Sequence, residues 1–299
     1  MKPPPFTYHR PSTLDEALDL LGEYGDEAKV LAGGQSLMPL LSLRLAHPAH
    51  LVDINRIDGQ LGQVVQYDSG LSVGALVRQR AAETSAVVRE GCPLLAEALP
   101  LIGHTQIRNR GTVCGSLAHA DPASELPAVT LALDAEMVAQ SRARGTRRIA
   151  ADAFFHGYLT TALEPDELLT EVRLPAWPAG TGWSFQEVTR RHGDFALVGV
   201  AAALRLDTAG TCQDVRLAAI GAGPGPLRGR AAEAALRGQP FSTESVAAAA
   251  QELGKAVDPA SDVQATAAYR RHVTVVLARR ALEEAATRAR AGASSARES

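Results

Sequence analysis

The chain has 299 residues, with 30 Lys and Arg against 33 Asp and Glu, and 46% of its side chains are hydrophobic. At roughly 150 residues per domain this length predicts two domains with a sizeable core, and so apolar a composition excludes disorder over most of the chain. The near-neutral, interspersed charge argues against a nucleic-acid binder, and no apolar run approaches the roughly 18–20 residues of a membrane span.

Met1-Lys2-Pro3-Pro4-Pro5 carries one basic residue and then prolines where a signal peptide has an apolar stretch, so a cytoplasmic location is expected. Thr13 and Glu16 have capping-box spacing, and Leu14, Ala17, Leu18 and Leu21 recur on one face; together they predict a helix that Gly22 and Gly25 end. Residues 29–32 predict a short strand broken by Gly33-Gly34. Residues 36–45 predict a short helix with Pro39 in its first turn, where a missing N–H is harmless. With a further strand at 51–54, residues 1–56 read as a small βαβ-like lobe.

Residues 57–176 read as a second lobe. Segments 61–67 and 71–73 predict a hairpin, and 77–84 and 94–99 predict helices. A glycine- and polar-rich segment spans 103–124, a long apolar element 128–138, and a strand 167–174 ended by Pro175. Residues 177–182 are rich in Pro and Gly and mark a boundary. Beyond it, 183–190, 197–206 and 215–220 predict an antiparallel sheet. Three alanine-rich helices follow near 229–237, 243–254 and 263–290, and 291–299 is expected to fray. The expected class is α+β, with domains at 1–176 and 177–290.

Two segments could carry chemistry. In Leu31-Ala32-Gly33-Gly34-Gln35-Ser36-Leu37, two glycines between a strand and a helix let successive N–H groups converge on an anion, with Ser36 donating its hydroxyl. The competing reading is a plain turn in which Ser36 only caps the helix. The GxGxxG, Walker and GxSxG patterns are all absent here. The second segment runs from Ile107 through Arg110-Gly111-Thr112-Val113-Cys114-Gly115-Ser116 to Asp121-Pro122-Ala123-Ser124-Glu125-Leu126-Pro127. Its small residues and hydroxyls suit close approach of backbone to a bulky ligand. Thr112 and Ser116 could donate to phosphates, and Asp121 could accept from sugar hydroxyls. The competing reading is a glycine-rich loop whose Asp121 caps a helix beginning near Pro122. His119 and Asp121 lack the third ligand a metal needs. Gly221-Ala222-Gly223-Pro224-Gly225-Pro226 begins like a dinucleotide loop, but its prolines remove the donors. Arg142, Arg144, Arg147 and Arg148 read as a solvated loop, and Arg270, Arg271, Arg279 and Arg280 as wet flanks of the last helix. Cys92, Cys114 and Cys212 lack cluster or metal spacing, so this chain cannot ligate an iron–sulfur cluster, which needs about four thiolates.

AGGxSL followed by TxGGN/S and DPxSELP resembles the FAD-binding medium subunit of the molybdenum hydroxylases, the carbon monoxide dehydrogenase and xanthine dehydrogenase group. Phe6-Thr7-Tyr8-His9-Arg10-Pro11, Pro165-Asp166-Glu167-Leu168-Leu169, Arg190-Arg191-His192-Gly193-Asp194-Phe195-Ala196 and Ala268-Tyr269-Arg270-Arg271-His272 resemble further blocks of that family in order. The resemblance implies a two-lobed FAD-binding domain of the vanillyl-alcohol-oxidase and molybdenum-hydroxylase type, followed by a C-terminal antiparallel sheet with helices. It also implies that Leu31, Ala32, Gly33, Gly34, Gln35, Ser36 and Leu37 wrap the FAD pyrophosphate, and that Thr112, Gly115 and Ser116 contact phosphates and ribityl chain. Asp121 would hold the adenosine ribose. Ile102, Gly103 and the backbone of Leu168 or Leu169 would lie beside the isoalloxazine ring, which Phe195 would cover. Two positions depart from the family pattern: Cys114 replaces a frequent glycine and Ser116 a frequent asparagine.

The implied function is electron transfer through FAD, from iron–sulfur clusters of a partner to an external acceptor, with no side chain of this chain acting as catalyst or metal ligand. Molybdopterin and 2Fe-2S clusters are then expected only in partners, a large molybdopterin-binding and a small iron–sulfur subunit. The alternatives are a stand-alone flavin-dependent oxidoreductase of the same superfamily, and a non-catalytic nucleotide-binding module. Replacing Gly34 by valine is expected to abolish FAD retention while sparing the fold.

Overall fold

The structure, a computed structural model, describes residues 2–67 and 69–295. It opens with β1 (Thr7–His9), a strand whose polar residues hide it from apolar periodicity. In α1 (Leu14–Tyr24) the Thr13 hydroxyl accepts the Glu16 N–H at 3.2 Å. The Glu16 carboxylate reaches past the cap to the Ser12 N–H at 2.6 Å, so the return half of the capping box closes one residue early. Next come β2 (Ala28–Leu31), α2 (Leu37–Ser42) and β3 (His50–Asp53). β1 and β2 both pair in parallel with β3, giving a three-stranded lobe in the order β1-β3-β2.

The second lobe contains α3 (Asp58–Leu61), β4 (Val64–Tyr67), β5 (Gly70–Gly74), α4 (Gln79–Thr84), α5 (Ala86–Gly91) and α6 (Pro93–Ala98). It continues through α7 (Thr105–Arg108), α8 (Val113–His119), α9 (Glu125–Ala132), β6 (Glu136–Ser141), β7 (Gly145–Ala150), β8 (Phe155–Gly157), β9 (Thr160–Thr161) and β10 (Leu168–Pro175). Five strands make an antiparallel sheet, β4-β5-β10-β6-β7, while β8 and β9 form a separate hairpin. Three expectations are corrected here. Half of the segment at 103–124 is helical, with Thr112 capping α8 and Ala120 ending it in the left-handed region at φ +52°. The apolar run at 128–138 is two elements, split where Asp134 takes φ +50°. The arginines at 142–148 lie on a hairpin: Arg147 and Arg148 belong to β7, and Arg147 pairs at 2.7 Å with Glu167, whose side chain is fully buried.

The C-terminal unit is an antiparallel sheet of β11 (Gly182–Val188), β12 (Val198–Leu206), β13 (Cys212–Ile220) and β14 (Leu227–Arg228), in that order. The helices α10 (Arg230–Leu236), α11 (Thr243–Ala256) and α12 (Ala267–Ser295) cover one of its faces. Alternation along β12 explains the placement. Val198, Val200, Ala202 and Leu204 pack against the helices, while Ala201, with Phe185 and Ile220, joins the core of the first domain. A strand buried on both faces reads as a continuous apolar run, as 197–204 does. Each fully buried leucine of this unit, such as Leu253 or Leu282, contributes about 1.5–3 kcal/mol.

Two further expectations change. The tail expected to fray from 291 is helical as far as Ser295, and residues 296–299 lie outside the described residues. Arg270 is not a wet flank. It is 7% exposed and donates to the Leu197 and Gly221 carbonyls while pairing with Asp262 at 2.8 Å, so it ties α12 to the sheet.

Candidate functional site

The two glycine-bearing segments meet. A Cβ added to Gly33 would sit 2.5 Å from the Arg110 carbonyl oxygen and 2.8 Å from Gly111 Cα, and one added to Gly115 would sit 4.0 Å from Ala32 Cβ. Only a missing side chain permits that approach of backbone to backbone. Gly34 is held at φ +74°, which turns the chain from β2 into α2. Among the described residues, the N–H groups of 33–37 have no protein acceptor; the first amide to find one is that of Met38, bonded to the Gly34 carbonyl at 3.1 Å. Five successive free donors on a bend are the group that an anion-binding concavity requires. Ser36 is exposed and its hydroxyl makes no cap bond, so the plain-turn reading, in which it only caps, does not hold.

Side chains that the motifs did not single out hold this loop in place. Asn55 Nδ2 donates to the Ala32 carbonyl at 2.9 Å and to Asp53 Oδ1 at 2.6 Å. Arg78 donates to Asn55 Oδ1 at 2.5 Å and to the Arg110 carbonyl at 2.6 Å, so one guanidinium ties the two segments together. Burial alone would raise the Asp53 pKa, but hydrogen bonds from Tyr8 and Asn55 outweigh it and hold the carboxyl below its ordinary value. Asn55→Ala frees the Ala32 carbonyl and one arm of Arg78. The expected outcome is a folded chain whose anion affinity at this loop falls about tenfold, the loss of about 1.4 kcal/mol that one charge-assisted bond carries, measured by equilibrium dialysis with FAD.

In the second segment the Thr112 hydroxyl accepts the Gly115 N–H at 3.1 Å, and the residue is 2% exposed, so the group expected to donate to a phosphate serves as a helix cap. Gly115 and Ser116 are half-buried, and the Ser116 hydroxyl pairs with that of Ser124 at 2.7 Å. Asp121 Oδ1 accepts the Ala123 N–H at 2.9 Å in an Asx turn, while α9 begins only at Glu125, so Asp121 does not cap it. Cys114 is 2% exposed and directs its thiol at the Val73 carbonyl; burial pushes its pKa up, as suits a small packing residue rather than a redox thiol.

The Ile102–Gly103 bend lies next to these elements. Gly103 has φ +49°, and the buried Arg108 donates to the Ile102 and Gly103 carbonyls at 2.9 and 3.2 Å while pairing with Glu83 at 2.8 Å. Leu168 and Leu169 are 3% and 4% exposed at the start of β10, against which α8 packs, so they offer backbone rather than side chain. Phe195 is 68% exposed on a loop of the C-terminal unit. That loop rests on the bend: a Cβ on Gly193 would collide with the His104 ring, and the His104 and His192 rings meet edge-on at 6.0 Å. At the other end the Gly221 N–H donates to the Pro122 carbonyl at 2.8 Å, so the turn at 221–226 is a structural contact.

Two acidic groups were given no role by the motif reading, although Glu125 lies within it. Glu125, 4% exposed, has its carboxyl pushed up to about 7 by burial, with the Asp121 charge adding to the shift. Glu187 on β11 is pushed up to about 8 by burial and by the charge of Glu125, and its Oε2 is buried without a hydrogen-bond partner. The available signal was position: Glu187 alternates with Trp183 and Phe185 on the face of β11 turned to the first domain.

Comparison with known proteins adds the following. Residues 4–177 match a family described as the FAD binding domain in molybdopterin dehydrogenase, and residues 183–285 match the CO dehydrogenase flavoprotein C-terminal domain. The chain is 43% identical to the 6-hydroxypseudooxynicotine dehydrogenase complex subunit alpha of Paenarthrobacter nicotinovorans, over 97% of each chain. It is 39% identical to the carbon monoxide dehydrogenase medium chain of Hydrogenophaga pseudoflava, over 95% of this chain and 98% of that one. A solved carbon monoxide dehydrogenase from Hydrogenophaga pseudoflava superposes with a TM-score of 0.93 at 42% identity, covering 96% of this chain and 99% of the other. Quinoline 2-oxidoreductase from Pseudomonas putida 86 gives a TM-score of 0.90 at 36% identity, covering 97% of this chain and 99% of the other.

Proposed function

Since the chain belongs to the FAD-binding flavoprotein subunits of the molybdenum hydroxylases, of carbon monoxide dehydrogenase type, we propose that it relays electrons through FAD from a partner's iron–sulfur clusters to an external small-molecule acceptor. The observation that carries the proposal is the row of unanswered N–H groups at 33–37, set against the 110–116 segment. It fits a doubly charged diphosphate with no basic side chain required. Ser36 adds a hydroxyl donor, and Asp121 keeps one carboxylate oxygen for a ribose hydroxyl.

Bound FAD supplies the redox chemistry, accepting electrons singly and releasing them as a pair. What the chain does is bind, orient and screen. Arg108 fixes the carbonyls of Ile102 and Gly103, so that bend meets the ring as a rigid edge. The backbone at Leu168 and Leu169 would support the ring from β10. Phe195, exposed on a loop anchored at His104, is free to cover the ring and exclude water. The three cysteines are all buried and too few for a cluster, so the reading places iron–sulfur and molybdopterin cofactors in small and large partner subunits. Among the described residues no helix is long and apolar enough to cross a membrane.

The test is purification of the chain alone and together with the products of neighbouring reading frames, followed by cofactor extraction and mass measurement. The expected result is a yellow chain releasing stoichiometric FAD and co-purifying with a large and a small subunit. A colourless chain that takes up no added FAD overturns the proposal, and a yellow chain that reduces its acceptor unaided favours the stand-alone oxidoreductase.

A further inference from the structure

A chain of hydrogen bonds runs from the outer edge of the first lobe to the glycine loop. Tyr8 lies on the edge strand β1 and is 50% exposed, yet its hydroxyl donates to Asp53 Oδ2 at 2.5 Å. Asp53 ends β3 and is 9% exposed; its Oδ1 accepts the Asn55 N–H at 2.9 Å and Asn55 Nδ2 at 2.6 Å. Asn55 Nδ2 donates onward to the Ala32 carbonyl at 2.9 Å, and Asn55 Oδ1 accepts Arg78, whose guanidinium also reaches the Arg110 carbonyl. Two groups fix the sense of the bonds at Asn55. Burial raises the Asp53 pKa, but the Tyr8 and Asn55 bonds outweigh it and keep the carboxylate ionised. An ionised carboxylate only accepts and a guanidinium only donates. The Asn55 amide, a group that can otherwise be turned end for end, therefore has one orientation: Nδ2 toward Asp53 and Ala32, Oδ1 toward Arg78.

The Ala32 carbonyl shares a peptide plane with the Gly33 N–H, and in a trans peptide the two point in opposite directions. Asn55 on the carbonyl side therefore turns the Gly33 N–H, the first of the five unanswered donors, to the other side of the loop. A bond accepted by a carbonyl also polarises its peptide and strengthens the N–H as a donor. We propose that Tyr8 and Asp53 are positioning residues for the cofactor diphosphate: acting through the Asn55 amide, they hold the 32–33 peptide so that its N–H faces the anion. The inference rests on the flavin reading above and carries the site outward to the edge of β1. Without Tyr8 and Asp53 the amide is free to turn, which sets Asn55 Oδ1 against the Ala32 carbonyl oxygen and releases the peptide plane.

The experiment compares wild type, Tyr8→Phe, Asp53→Asn and Asn55→Ala. Tyr24→Phe is the control in the same lobe, since the Tyr24 ring stacks on His50 of β3 at 3.6 Å and lies outside the chain of bonds. Equilibrium dialysis with FAD should show affinity lower by about threefold in Tyr8→Phe and about tenfold in Asp53→Asn, with Tyr24→Phe unchanged. Because Tyr8 acts through Asn55, Tyr8→Phe should cause no further loss in an Asn55→Ala chain, whereas a general weakening of the lobe would add. Tyr8→Phe removes one oxygen from a half-exposed side chain, so the test stands even if Asp53→Asn fails to fold. The second readout needs no cofactor. In the apo-chain labelled with 15N-glycine, the Gly33 amide proton resonance, identified by its loss in Gly33→Ala, should move upfield in Tyr8→Phe and Asp53→Asn, while that of Gly210 in a turn of the C-terminal unit stays in place. Wild-type FAD affinity in Tyr8→Phe overturns the proposal, as does a Tyr8→Phe loss that adds in full to that of Asn55→Ala. A wild type that binds no FAD refutes the flavin reading instead, and the Gly33 resonance then decides: an identical position in wild type and Tyr8→Phe overturns the positioning role as well.

Discussion

A Gly33→Val chain is expected to fold yet to lose FAD, with affinity reduced more than about 100-fold, equivalent to about 2.8 kcal/mol. The obstruction is backbone: the new Cβ would lie 2.5 Å from the Arg110 carbonyl oxygen and 2.8 Å from Gly111 Cα, and neither atom can swing aside as a side chain can. The two segments must therefore part, and the donors at 33–37 lose their opposing wall. Fold survival is expected because the atoms nearest the new Cβ are backbone of the 110–111 turn, not side chains of the core cluster. Gly34→Val acts differently. Its added atom would touch only the Leu31 and Met38 side chains, at 3.2 Å, so the penalty is the left-handed backbone, about 1–2 kcal/mol. Equilibrium dialysis with FAD, alongside urea unfolding, separates the two cases. A Gly33→Val chain that binds FAD as tightly as the wild type would remove the convergence of the two segments from the argument.

The second large effect is expected at Glu233→Ala, which should cost about 3–5 kcal/mol in urea unfolding. Glu233 is 3% exposed, accepts the Leu217 N–H at 2.9 Å and pairs with Arg228, whose side chain is 8% exposed. Removing the carboxylate strands a buried strand amide and leaves the Arg228 guanidinium only the half-exposed Asp134 as an anion. Arg228 also donates to the Leu131 carbonyl at 2.5 Å and pairs with Asp134 at 2.6 Å, both in the first domain, so the damage crosses the domain seam. The control is Glu252→Ala on exposed α11, whose partner Lys255 is 70% exposed; a pair so wet is worth about 0–1 kcal/mol. Equal losses at the two sites would mean that Glu233 does no more than a surface charge.

The glycine loop at 33–37 was legible because its chemistry is local: glycines, a hydroxyl and a strand-to-helix switch occupy adjacent positions. So was the C-terminal sheet, whose apolar runs at 197–206 and 215–220 carry their own signal. What escaped depends on distant partners. Asn55 and Arg78 look like ordinary surface residues until the fold sets them against Ala32 and Arg110. The charge of Arg270 suggested solvent, but three acceptors from other elements enclose it. In α8 a cysteine and a glycine follow Thr112, and low helix propensity concealed a helix that Thr112 nucleates by capping and the surrounding core stabilises. The burial that lifts the Glu125 and Glu187 carboxyls above the ordinary glutamate range is likewise encoded by no spacing.

The order in which the polypeptide is made bears on the seam between the domains. Arg288 on α12 holds Glu97 of the first domain and the Trp183 carbonyl of the sheet, and α12 follows every other described element in the chain. Synthesis runs from the amino end and domains fold as units. The glycine loop and its opposing segment therefore leave the ribosome well before the latch that fastens the C-terminal sheet to α6, so the two segments can meet before that seam closes.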